Sequence, residues 1–126
     1  VYATLGLVGG VFFREFTKFY NFTGETTLGY LHLHYLVLGM SFFMIIFLLD
    51  KEFSFSDKKT NKLFLTYHIG LNIMVLFLLI RGIVQVTGFE ATKAMNAAIS
   101  GCAGIGHILL GVSLVLIINK IKNIIK

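Results

Sequence analysis

Four histidines, His32, His34, His68 and His107, all stand inside apolar stretches of this 126-residue chain. Ionisable side chains in such surroundings are costly, and they are functional candidates by default. The pair His32-Leu33-His34 has the most informative spacing. At 3.6 residues per turn, positions i and i+2 point about 200° apart, so the two rings leave opposite sides of a helix. They cannot close on one tetrahedral metal ion as histidines at i and i+4 could. Each can instead address a pocket of its own. Beside His32, Gly29 at i−3 and Gly39 at i+7 remove bulk, which suits a broad planar ligand such as haem. Beside His34, Tyr30 and Ser41 supply hydroxyls.

The remaining polar residues admit two readings each. His107, in Gly-Ile-Gly-His, is a pocket or ligand residue, or it packs against a hydroxyl on a neighbouring helix. His68 snorkels or caps near its helix end. An unpaired arginine inside a membrane is expensive. Arg81 therefore needs a partner such as Glu15 or a haem propionate, and Arg14 and Arg81 are the propionate candidates. For the histidine pair itself the alternatives are interhelical hydrogen bonding and a metal such as copper. Met40, Met44, Met74 and Met95 are scattered without an M-x-x-M cluster, so they read as packing residues.

The elements that position these residues follow from composition. Hydrophobic residues make up 56% and charged residues 13% of the chain, against roughly 25% charged in a soluble domain. Proline and tryptophan are absent, and there are 13 phenylalanines. This argues against a disordered chain, a disulfide scaffold and a water-soluble enzyme. Cys102 is the single cysteine and has no internal partner. The net charge is +5, but the lysines cluster at the ends of apolar runs, which suits a lipid bilayer and not nucleic acid. No phosphate loop or nucleophile elbow is present.

Four apolar stretches cover about 1–20, 28–50, 62–87 and 92–120, each near the roughly 20 residues that a membrane-crossing helix needs. Backbone groups in lipid must be satisfied internally, so the stretches predict helices. The fold expected is all-α, one integral-membrane four-helix bundle. The first stretch lacks the basic start and small-residue cleavage site of a signal peptide. Lys51, Lys58, Lys59 and Lys62 share a side with Lys120, Lys122 and Lys126, against Arg14, Lys18 and Lys93 on the other. Positive-inside counting then places both termini in the cytoplasm and the histidine pair near the outer face. Gly6 and Gly10, and Ala98, Cys102 and Gly106 with Gly101 and Gly104 beside them, predict close helix contacts.

The stretch HLHYLVLGMSFFMI, His32 to Ile45, resembles the tenth helix of the catalytic subunit of haem–copper oxidases. There an H-x-H pair supplies axial ligands to two haems, in a twelve-helix subunit built from three pseudo-equivalent four-helix units. The resemblance implies a homotrimer of this chain, with haem b held between His32 of one copy and His34 of the next. Closure makes such a head-to-tail interface legitimate. Bis-histidine iron has no open position, which favours electron transfer over oxygen chemistry. The oxidases' copper histidines have no counterpart here, so oxygen reduction is not carried over. FFREFTKF and GHILLG resemble a small family of four-helix bacterial membrane proteins, which implies the bacterial inner membrane. The expectation is thus a membrane b-type haem-binding protein for electron transfer or haem-linked sensing, with a quinone or other redox partner. Its rivals are a cofactor-free membrane subunit or transporter component, and a copper-handling membrane protein.

Overall fold

A computed structural model describes all of Val1–Lys126 as helices and short loops. Helix α1 covers Tyr2–Phe19. Helix α2 runs over Thr27–Phe53, α3 over Lys58–Thr87 and α4 over Lys93–Ile125. The turns between them are set by local chemistry. Asp57 caps α3, its Oδ1 accepting from the Thr60 N–H at 2.7 Å, and Thr92 caps α4 by accepting from Met95 N–H at 3.2 Å. Gly88 ends α3 in the left-handed region (φ 66°), a conformation that costs glycine nothing.

Helix α2 is not uniform. It opens with a 3₁₀ turn at Thr27–Tyr30, passes through an α turn at Leu31–Leu33 and widens to i→i+5 bonding over His34–Ser41. It returns to α-helix at Phe42–Phe53. The apolar run predicted one regular helix. The widening begins at His34, so the 3.6-residue spacing does not extend past the histidine pair. Such π segments are rare overall and are frequent at functional sites.

Helix α1 lies antiparallel against the first half of α2. Glycines set the approach: a Cβ at Gly6 would lie 2.9 Å from Leu36, and one at Gly39 would lie 2.6 Å from Tyr2 Cγ. Helix α2 is fastened to α3 by Leu28, which sits against Gly82. Thr27 Oγ1 also donates to the Leu78 carbonyl at 2.7 Å. Helix α4 packs antiparallel along α3, where Gly70 and Gly106 bring the two backbones together. At the far end of this hairpin Lys120 is paired with Asp57. The glycine stripe predicted for α4 divides: Gly106 is in the interface, while Gly101 and Gly104 have open space around them.

Only 19 of the 126 residues are buried. Large apolar side chains face outward instead, among them Phe47, Leu48, Leu65, Ile108 and Val112. Three helices, α2, α3 and α4, are long and apolar enough to cross a membrane. Helix α1 is the exception among the four stretches, because its 18 residues include Arg14, Glu15 and Lys18. It flanks half of α2 and does not match its length.

Candidate functional site

His32 lies in a groove between α1 and α2, of about 290 Å³, lined by Gly6, Gly10, Arg14, His32 and Leu36 among others. Gly10 makes the room, since its missing Cβ would stand 3.6 Å from the His32 Cβ. His32 Nδ1 is buried without a hydrogen-bond partner. A neutral imidazole nitrogen left unpaired in an apolar setting is a cost that nothing in this chain offsets. Arg14 lines the groove with a largely exposed side chain and is ion-paired at 3.8 Å with the adjacent Glu15, itself largely exposed.

The other sequence-predicted residues are placed differently. His34 Nδ1 lies 2.7 Å from the Tyr30 carbonyl of its own helix. His107 Nδ1 lies 2.9 Å from the Ala103 carbonyl, again within one helix. In both rings that bond holds the proton on Nδ1 and leaves Nε2 as the free lone pair. The two histidines do not pair with each other. Arg81 is committed to α4: Nη1 donates to Asn96 Oδ1 at 2.9 Å, and Nη2 donates to Ser100 Oγ at 2.7 Å and the Asn96 carbonyl at 3.3 Å. Its partner is therefore neither Glu15 nor free space for a propionate. The space at Gly39 holds the Tyr2 ring, and that at Gly29 faces the Phe13 ring at 3.7 Å. No group of three or more His, Cys, Asp or Glu side chains converges anywhere.

A second polar cluster escaped the sequence reading. Tyr35 O–H donates to Asn72 Oδ1 at 3.1 Å. Asn72 Nδ2 donates to the Tyr2 hydroxyl at 3.2 Å and to the His68 carbonyl at 2.8 Å. Tyr2 Oη lies 2.6 Å from His68 Nδ1. The His68 ring stacks on Phe43 with centroids 4.2 Å apart. Thus His68 neither snorkels nor caps but ties α1, α2 and α3 together. The legible trace was His68 and Asn72 at i, i+4 on one helix face. Their partners Tyr2 and Tyr35 come from other helices, which spacing alone does not reveal.

At the loop end, Asp57 is held below the ordinary carboxylate range. The Lys120 ammonium is the main cause, followed by the Thr60 N–H and O–H.

These features define an all-helical protein whose outer surface is apolar and whose polar groups are gathered at a histidine groove and an internal cluster. The chain belongs to the family described as "Protein of unknown function (DUF2871)", which it matches over residues 1–124. No curated protein and no solved structure matches it.

Proposed function

We propose that the protein is a membrane b-type haem-binding protein, with His32 and His34 as axial ligands and electron transfer as its role. The observation that carries this reading is the α1–α2 groove, where an imidazole without any hydrogen bond stands beside two glycines, with an arginine at the rim whose one acid partner is exposed. The donor set fits the group: a histidine for iron and a cation for a propionate. Because Arg81 is spent on Asn96 and Ser100, Arg14 is the propionate residue. When bound, haem would supply a one-electron redox centre.

The groove's 290 Å³ is at the small end of ligand pockets. A second wall is therefore needed, and a neighbouring copy offers one. His34 of that copy, with Nδ1 tied to Tyr30 and Nε2 free, completes the pair, as the oxidase resemblance implies. A closed homotrimer in the bacterial inner membrane, with the C-terminus cytoplasmic, is the assembly proposed.

The test is a reduced-minus-oxidised spectrum of the purified protein expressed with haem in excess. Sharp α and Soret bands are expected, and both are lost in His32→Ala and in His34→Ala. Gly10→Leu, which fills the groove against His32 while keeping both histidines, should lower haem occupancy severalfold. A Soret band that survives both histidine changes, or colourless protein, would overturn the proposal. The colourless outcome would favour a cofactor-free subunit, in which the i→i−4 bonds of His34 and His107 are purely structural.

A further inference from the structure

The direction of the hydrogen bonds in the Tyr35–Asn72–Tyr2–His68 cluster can be worked out from its inventory of donors. Tyr35 donates to Asn72 Oδ1, so the amide presents Nδ2 to the other side. Both Nδ2 hydrogens are then used, one on the His68 carbonyl and one on the Tyr2 oxygen. The Tyr2 oxygen has become an acceptor, and its own hydrogen needs a partner. His68 Nδ1, at 2.6 Å, is the one acceptor that its hydroxyl meets. A neutral imidazole that accepts at Nδ1 carries its proton on Nε2. The opposite tautomer would leave the Tyr2 O–H unpaired among apolar side chains. The relay therefore ends in a donor, the His68 Nε2–H.

That donor has no partner in the chain. The His68 ring lines a pocket of about 510 Å³ together with Tyr2, Met40, Phe43, Met44 and Phe47. The stack on Phe43 holds the imidazole plane fixed. A protonated nitrogen cannot ligate a metal, so the thioethers of Met40 and Met44 do not make this a copper(I) site with His68. What fits is a hydrogen-bond acceptor carried by a flat, lipid-soluble molecule.

Depth separates the two membrane sources of such a carbonyl. Helix α3 has 30 residues, and His68 lies four to five residues from its midpoint, or about 7 Å along the axis. With α3 centred in a hydrocarbon core about 15 Å deep on each side, the ring sits about 8 Å inside the boundary. Lipid ester carbonyls lie at that boundary, whereas a quinone ring dissolves beneath it.

We propose that this pocket is a quinone site, with one ring carbonyl accepting from His68 Nε2–H and the aromatic and methionine side chains covering the ring. It lies apart from the His32 groove and does not rest on the haem reading. The test uses the full chain in phosphatidylcholine nanodiscs with decylubiquinone labelled with carbon-13 at its carbonyls. Infrared spectra should show one bound carbonyl band moved to lower frequency than in protein-free nanodiscs. Nitrogen-15 NMR should show His68 protonated at Nε2. His68→Phe keeps the ring and removes the donor, and should weaken binding roughly tenfold, the worth of one hydrogen bond. Tyr2→Phe keeps the stack but releases the tautomer, and should weaken it severalfold; this variant decides if His68→Phe does not fold. An unmoved quinone carbonyl, or equal affinity in all three proteins, would refute the site. Two other outcomes also overturn it: labelled lipid ester carbonyls shifting instead, and copper(I) displacing the Nε2 proton.

Discussion

Replacing Gly106 by alanine tests how α3 and α4 are held together. The added Cβ would lie 2.7 Å from Met74 N, 3.0 Å from Met74 Cα and 3.1 Å from the Gly70 carbonyl oxygen. These are backbone atoms, so no rotamer change relieves the contact. Ordinary contact begins near 3.4 Å, and the helices must part by about 0.7 Å (3.4 less 2.7). A gap of that size forfeits about a quarter to a half of the dispersion attraction of atom pairs across it. Overpacking of this kind costs about 1–3 kcal/mol. Against it stands the gain of about 0.5–1 kcal/mol from alanine in a helix. A net loss of up to about 2.5 kcal/mol follows. Gly104→Ala provides the control on the same helix. Nothing lies within 4 Å of its Cβ position, so only the gain of about 0.5–1 kcal/mol remains. Reversible unfolding in mixed micelles, followed by far-ultraviolet circular dichroism against denaturing detergent, measures both. If Gly106→Ala proves as stable as Gly104→Ala, the backbone contact does not hold this hairpin and the reasoning fails.

Three further outcomes are expected. Arg81→Leu removes three hydrogen bonds to α4 and should cost about 1–3 kcal/mol in the same assay, and Arg81→Lys should recover only part because an ammonium cannot fork across Asn96 and Ser100. Gly39→Ala forces a Cβ to within 2.6 Å of Tyr2 Cγ; it should displace the Tyr2 ring at about 1–3 kcal/mol and shift the tyrosine fluorescence. The Asp57 carboxyl is lowered by Lys120 and Thr60, so its stabilising effect is complete above about pH 4, the unfolded value, and fades as pH falls further toward the folded one. Asp57→Asn should therefore flatten the acid limb of the unfolding midpoint plotted against pH, while leaving its slope above pH 6 unchanged.

Helix positions were legible because apolar runs bounded by lysines leave the backbone no other way to satisfy its polar groups. Caps were legible in principle too, since Asp57 and Thr92 stand where helices start. The number of spans was less so. The opening stretch reads as apolar, yet Arg14, Glu15 and Lys18 occupy its last turn and a half. The partner of Arg81 was not legible because Asn96 and Ser100 face it only once α3 and α4 fold back on each other. The roles of Gly29 and Gly39 were read as room for a ligand. In the fold Tyr2 fills the second, a contact between residues 37 positions apart that no local spacing encodes.

The irregular stretch of α2 links these observations. Between His32 and Phe43 the helix must present one imidazole to α1, place Gly39 under Tyr2 and direct Tyr35 towards Asn72 on α3. A regular helix turns through 100° at each residue and fixes the angles between those positions. Widening to i→i+5 bonding over His34–Ser41 changes them. It also alters the bonding of the carbonyls within the segment. Tyr67, fully buried, donates to one of them, Leu38 O, at 2.8 Å and stacks on Phe42 with centroids 4.6 Å apart. A poorer helical geometry is thus offset by a buried side-chain bond from α3. The same eight residues separate the His32 groove from the His68 pocket, so the two sites share a backbone element whose shape depends on α3. A change at Tyr67 would accordingly be felt at both.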